Sequence, residues 1–391
     1  MPKKQDKVSE LLERGVADVV VRKDLEKLLR SASKLKVYLG VDVTSPQIHI
    51  GNAVPLRKLA AFQDLGHQAI FVVGSFTTLI GDTSDKDSMR PARTLADIKA
   101  DMKTYKEQAS KILDFSKTKI LYNGDWLAGL GFEDVVKLAQ HFTVQQMIER
   151  DMYQKRLKEG KPIGLHEFLY PLMQGYDSVH MEVDVELGGS DQLFNMLAGR
   201  TLLKAYKNKE KHVLTTELLE GLDGRKMSKT YHNTINITDE PNDMFGKIMS
   251  LRDDLIARYF ELATNVPMGE VARITKEENP RDAKARLARE IVAMYHGEKA
   301  AREAEQEFNS VFKSGQKPKD IPKKKVSGKQ KQADELLVVL GLVQSRSEAK
   351  RLINQGGVRV DGAVIRDWKQ VIAIKKGVVV QVGKRRFVEI A

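Results

Sequence analysis

Two lysines three residues apart, Lys226 and Lys229, sit in the run Gly224-Arg225-Lys226-Met227-Ser228-Lys229-Thr230. Two ammonium groups on one loop can grip a polyphosphate and stabilise charge that builds on it during reaction. Gly221 and Gly224 precede them, so the backbone can flex and approach a ligand closely. A second candidate for anion chemistry lies far upstream, at His49-Ile50-Gly51-Asn52. On the first turn of a helix, residues three apart share a face, so His49 and Asn52 can both point at an anion held by the helix N-terminus. The third candidate is Tyr170, Gln174 and Asp177, at i, i+4 and i+7 on one helical face. A phenol, an amide and a carboxylate together can recognise a polar ligand by hydrogen bonds. Taken singly, each group has a plainer alternative: a solvated basic loop, a surface histidine near a helix start, a solvent-facing stripe.

The elements that must position these groups read as alternating strands and helices. Leucine spacing predicts helices over 8–15 and 24–31. Val37–Val43 alternates and is rich in β-branched residues, predicting a strand, and Gln68–Gly74 predicts the next one. A helix from about Ala53 to Leu65 joins them, ended by Gly66. Strand, helix and strand of this kind make a parallel unit whose first loop lies at the carboxyl edge, where open α/β sheets place ligands. His49 is in that loop. After the second strand, Asp82 could meet an ammonium group, and Lys86 and Arg90 could meet phosphates. A helix over 92–115, a strand over 119–122 and helices over 132–158 follow. Pro171 marks a helix start or kink at the Tyr170 face. A strand over 183–187 then leads into the glycine turn Gly188-Gly189-Ser190-Asp191-Gln192, with Asp191 where Rossmann-like sheets hold a ribose. A helix over 192–206 and a strand over 212–215 lead to the lysine loop. The unit has no G-x-G-x-x-G and no G-x-x-x-x-G-K-[ST], which argues against a nicotinamide dinucleotide and a Walker-type NTPase.

Residues 242–312 are helical throughout in pattern. A Gly/Pro/Lys-rich stretch follows, then a small α+β part with a capping-box pattern at Ser345–Glu348 and an Asp-Gly hairpin over Val358–Val364. Four segments are expected: a Rossmann-like parallel-sheet domain over 1–232, an α-helical domain over 233–314, a linker over 315–332 and a small α+β domain over 333–391. Of the 391 residues, 41% are hydrophobic and 30% charged, a soluble globular balance. No stretch approaches the apolar length that spans a membrane, and the polar start lacks the core of a signal peptide. The absence of cysteine excludes disulfides and thiolate chemistry and fits a cytoplasmic setting. Net charge is +12, and residues 317–391 hold 18 Lys/Arg against 7 Asp/Glu. The body is thus close to neutral and the tail basic, as expected of a tail that contacts a polyanion. Arg346 and Lys350, one turn apart, present cations on one helix face for phosphates.

Together these residues resemble a class I aminoacyl-tRNA synthetase. His49-Ile50-Gly51-Asn52 is similar to the HIGH signature of that class, and Lys226-Met227-Ser228-Lys229-Thr230 to its KMSKS signature. Tyr38–Thr44, Tyr170–Asp177 and Glu186–Gln192 narrow the resemblance to the tyrosyl-tRNA synthetases, and the C-terminal part resembles an RNA-binding domain shared with a ribosomal small-subunit protein. Asn52 stands where the second histidine of the signature is expected; an amide can also donate a hydrogen bond. The resemblance implies activation of L-tyrosine by ATP, then transfer to tRNA(Tyr). It implies that His49, Asn52, Lys226 and Lys229 grip the triphosphate, with Gly51, Met227, Ser228, Lys86 and Arg90 beside it and Asp191 on the ribose. Tyr170, Asp82 and Gln174 would hold the α-ammonium group, Tyr38 and Asp177 the phenol, and Gln192 would also contact tyrosine. Arg346, Lys350 and Arg351 would touch tRNA. Mg²⁺ would accompany ATP without a protein-built metal site, and a symmetric homodimer would form through helices between about 126 and 165.

Overall fold

The computed structural model describes residues 4–43, 46–82, 94–228, 231, 233–314, 321–383 and 386–391. Lys86, Arg90, Lys229 and Thr230 lie outside these. Six strands form the main sheet: β1 (Val16–Val20), β2 (Lys36–Val41), β3 (Gln68–Val73), β4 (Thr118–Tyr122), β5 (Val185–Gly189) and β6 (His212–Thr216). Their order is β1-β6-β5-β2-β3-β4. From β6 to β4 every pairing is parallel. Strands buried on both faces need continuous apolar runs. Ala69–Val73 is such a run, buried at every position, and Val213–Thr216 is equally buried, with two threonines in it.

The chain winds outward from β2 in one direction through β3 and β4, and in the other through β5 and β6. The order therefore reverses between β2 and β5, and ligands of open α/β sheets bind in the crevice outside the carboxyl ends at such a point. Asp42 follows β2, and Ser190–Gln192 follow β5 as a short 3₁₀ turn. Gly188 and Gly189, read from sequence as part of that turn, are the last two residues of β5 itself.

One strand escaped the sequence reading. Val16–Val20, between the Lys4–Glu13 and Arg22–Arg30 helices, pairs antiparallel with β6 and closes that edge of the sheet. Five residues with an Asp among them carry too short a pattern to register.

The helices of 241–314 pack on the sheet's own core. Phe245, Ile248, Tyr259, Phe260, Leu287 and Ile291 belong to one buried cluster with Leu39, Phe71 and Leu214. The C-terminal part has a core of its own, built on Leu336, Leu337, Ile353, Val380 and Ile390. Some of the stretch read as linker is structured: Lys323–Lys324 pairs with Glu389–Ile390, and Gln330–Gln332 with Val371–Ala373. These strands are too short and too charged to show as alternation. The Asp-Gly hairpin forms as expected, with Asp361 at φ 49° and Gly362 at φ 87°, the left-handed pair that a tight two-residue turn requires.

Candidate active site

The two signature runs meet in space. His49 caps the Ile50–Asp64 helix, and its Nδ1 accepts the Asn52 backbone N–H at 3.2 Å. A neutral His49 therefore carries its proton on Nε2, as a donor. His49 is buried, whereas the Asn52 side chain is exposed. The chain beyond the lysine loop returns beside this cap: Ile50 N–H donates to the Ile235 carbonyl at 2.9 Å, and Ile237 N–H to the Ile48 carbonyl at 3.0 Å. A Cβ on Gly51 would sit only 3.1 Å from His49 Nδ1, and 3.6 Å, an ordinary contact distance, from Met227 Cβ, so the two runs lie side by side.

The lysine loop is more firmly held than its glycines suggest. Met227 is buried in the core, and its N–H donates to Leu219 O at 3.1 Å. Ser228 N–H donates to Asn233 Oδ1 at 2.8 Å, and Asn233 Nδ2 donates to Lys226 O at 3.1 Å. Gly221 serves close packing rather than flexing, since a Cβ there would overlap the Asn233 side chain. Gly224 sits at φ 80°, where glycine is favoured. Lys226 Nζ is 2.9 Å from Asp191 Oδ2, tying the loop to the end of β5. The residue expected to hold a ribose and the residue expected to grip phosphates are thus ion-paired to each other.

Behind this pair, the Tyr170–Met181 helix lies over β2 and β5. Pro171 is in its first turn, where a missing N–H costs nothing. Tyr170 OH donates to Asp42 Oδ2 at 2.9 Å, and Thr77 Oγ1 donates to Asp42 Oδ1 at 2.7 Å. Gln174 Nε2 donates to Glu186 Oε1 at 2.9 Å. Asp82 Oδ2 accepts from Gln192 Nε2 at 2.7 Å, and Gln192 Oε1 accepts from Asn195 at 3.0 Å. Asp177, 3% exposed, accepts from Trp126 Nε1 at 2.8 Å and from Asn123 Nδ2 at 3.3 Å. Burial pushes its carboxyl up to about 8, against the pull of those two donors. Tyr38 is fully buried, its hydroxyl 3.1 Å from Ser178 Oγ. Burial first, and Glu186 second, raise the Tyr38 phenol above its ordinary range; burial and Asp42 do the same for Tyr170.

One polar cluster under the β2/β5 crevice therefore holds Tyr38, Tyr170, Gln174 and Asp177, and Asp82 with Gln192 forms a neighbouring pair. Lys86, Arg90 and Lys229 lie outside the described residues. The sequence reading missed Thr77, Asn123, Trp126, Ser178, Asn195 and Lys211 and gave no role to Asp42 or Glu186. Asp42 and Glu186 stood inside motifs already singled out, and Lys211, a lysine immediately before the strand β6, was a visible signal.

In the C-terminal part, Arg346 does not present a free cation. Its Nε and Nη2 donate to the fully buried Asp334 at 3.0 and 2.9 Å. Burial works to raise the Asp334 carboxyl, but Arg346's hydrogen bonds hold it low. Lys350 Nζ is 4.0 Å from the same carboxylate and 3.8 Å from the centre of the Trp368 ring. Two cations thus share one anion, which spacing on one helix could not reveal. Arg351 is exposed.

Residues 30–313 match the family model of class I tRNA synthetases (W and Y), and residues 333–371 match the S4 domain. The tyrosine–tRNA ligase of Moorella thermoacetica is 47% identical over 387 residues, covering 96% of this chain and 94% of that one. That of Thermotoga maritima is 45% identical over 396 residues, covering 100% and 98%. A C-terminally truncated mitochondrial tyrosyl-tRNA synthetase from Coccidioides posadasii matches with a TM-score of 0.61 at 27% identity, covering 77% of this chain and 91% of its own. The tyrosyl-tRNA synthetase of Archaeoglobus fulgidus, solved with L-tyrosine, shares the fold, with a TM-score of 0.63 at 22% identity, covering 78% and 100%. The chain belongs to the class I tRNA synthetases of the tryptophan and tyrosine group. It carries that class's sheet, its helical region and a C-terminal S4 domain.

Proposed function

We propose that this chain is a tyrosine–tRNA ligase. A tyrosine carboxylate oxygen attacks the α-phosphorus of ATP, pyrophosphate leaves, and tyrosyl-adenylate remains. A ribose hydroxyl of the terminal adenosine of tRNA(Tyr) then attacks the carbonyl, and AMP leaves. The observation that carries this reading is the buried cluster under the crevice. Asp177 offers an acceptor for a phenolic hydroxyl, and Tyr170, Gln174 and Asp82 offer acceptors for an ammonium group. Tyrosine has both.

In this reading Tyr38 and Asp177 bracket the phenol, and Gln192 holds Asp82 in place beside the ammonium group. His49, Asn52, Lys226 and Lys229 hold the triphosphate, with Gly51, Met227 and Ser228 lining its path and Lys86 and Arg90 assisting. Asp191 exchanges its bond to Lys226 for the ribose, which frees Lys226 for phosphate. No side chain needs to exchange a proton with the reacting atoms; positioning and charge stabilisation suffice. Mg²⁺ arrives on the ATP phosphates.

We assign residues 1–232 to tyrosine and ATP, 233–314 to the anticodon side of tRNA, and 333–391 to further RNA contact through Arg351 and neighbouring cations, with Arg346 and Lys350 supporting that surface. The chain acts as a homodimer in the cytoplasm. Phe132 and Leu165, 86% and 81% exposed, lie with the exposed Val136, Val144 and Leu157 on the 132–165 helices, apolar side chains that a second copy would cover. Charging of a tRNA(Tyr) transcript tests the assignment: tyrosine is esterified and tryptophan is not, and the opposite preference would refute it.

A further inference from the structure

Glu186 and Lys211 form a buried ion pair behind the crevice and have no part in the chemistry assigned above. Glu186 is 1% exposed and Lys211 is fully buried. Gly199 makes room for them, because a Cβ there would overlap Lys211 Nζ and come within 2.8 Å of Ser178 Oγ. Ser178 accepts from Lys211 Nζ at 2.9 Å and donates to Glu186 Oε2 at 3.4 Å. The other Glu186 oxygen accepts from Gln174 Nε2 at 2.9 Å.

That last bond decides what Gln174 can offer a ligand. A side-chain amide has a donor end and an acceptor end, and an ionised carboxylate only accepts. Glu186 therefore takes the NH₂ end, and the carbonyl end is left for the substrate. An ammonium group only donates, so it needs that carbonyl. With an apolar residue at 186, Gln174 could turn its NH₂ toward the ammonium, donor facing donor. Tyr170 is arranged in the same sense: its proton goes to Asp42, which leaves its oxygen as an acceptor. We propose that the Glu186–Lys211 pair is a positioning element that orients the Gln174 amide so that its carbonyl receives the α-ammonium group of the amino-acid substrate. The proposal rests on the tyrosine–tRNA ligase reading. Lys211 supplies the counter-charge without which a carboxylate at this depth is strongly disfavoured.

The test replaces both partners at once, Glu186→Leu with Lys211→Met, so that no buried charge is stranded; such exchanges are often neutral to the fold. Calorimetry on the full chain then compares two probes. One is L-tyrosine; the other is 3-(4-hydroxyphenyl)propionate, which keeps phenol and carboxylate but lacks the ammonium group. The double variant is expected to lose about tenfold or more in tyrosine affinity and to bind the deaminated probe as the parent does. Adding Gln174→Glu, which offers an acceptor whichever way it turns, restores tyrosine affinity. Equal loss for both probes, no loss for tyrosine, or no rescue would overturn the proposal. If melting shows the double variant unfolded, Glu186→Gln with Lys211→Met keeps the shape and lets the amide at 174 turn either way; tyrosine-selective weakening there supports the proposal, and its absence overturns it. Parent protein that supports tyrosine-dependent pyrophosphate exchange yet binds both probes equally would sink this proposal alone. Parent protein that binds neither would sink the functional reading and this one with it.

Discussion

Asp177→Asn changes one oxygen to nitrogen at a buried point of the site. The carbonyl end of the new amide can keep the Trp126 bond, now 2.8 Å long. Above about pH 8, where the parent carboxyl is ionised, what disappears is the charged acceptor for the substrate hydroxyl. A hydrogen bond to a charged group contributes about 1.5–3 kcal/mol, so kcat/KM for tyrosine should fall about 10- to 150-fold. Phenylalanine, which has no hydroxyl to lose, should change little. A second signature comes from the carboxyl's own titration. Its folded pKa of about 8 lies above the ordinary 3.8, so between these values the folded chain keeps a proton that the unfolded chain has released. Stability is then fully present below about pH 4 and falls as pH rises toward 8, by at most about 1.4 kcal/mol per pH unit. The Asn variant lacks this slope. Affinity for tyrosine in the parent should also improve from pH 6 to 8 as the better acceptor forms. Pyrophosphate exchange with both amino acids, together with melting at several pH values, reads all of this. Equal losses for tyrosine and phenylalanine would refute the assignment of the phenol to Asp177.

Other outcomes follow from the same geometry. Lys226→Ala should raise KM for ATP and leave the dissociation constant for tyrosine unchanged, and a matching tyrosine defect would contradict the phosphate role. Arg346→Ala leaves the buried Asp334 carboxylate to the more distant Lys350, 4.0 Å away, and should lower the melting temperature of the C-terminal part. Arg351→Ala should leave melting alone and lower the salt slope of tRNA binding by about one; the reverse pattern would exchange their roles. Truncation after residue 314 should preserve pyrophosphate exchange and weaken tRNA charging, and loss of exchange would show that the C-terminal part supports the catalytic core.

Much of the site was legible because chemistry and local spacing coincide in it. Tyr170, Gln174 and Asp177 share a helix face by period alone, and they do face one polar cluster. His49 was legible as a helix-start residue, yet its ring proved to cap the helix itself. The groups that orient these side chains were not legible, since their partners come from distant strands. Glu186 and Lys211 are 25 positions apart and meet only because β5 and β6 pair in parallel with helices above. Asn233 pins the lysine loop through side-chain bonds that no propensity encodes. The edge strand Val16–Val20 exists because β6 offers it an open edge, and five residues alone cannot announce that.

The measurement that bears most directly on the whole account is amino-acid-dependent exchange of labelled pyrophosphate into ATP by the full chain, run with tyrosine and tryptophan side by side. The acceptors at Asp177, Tyr170, Gln174 and Asp82, together with the likeness to tyrosine–tRNA ligases at 45–47% identity, predict exchange with tyrosine and none with tryptophan. Exchange with tryptophan, or none with tyrosine, would contradict it.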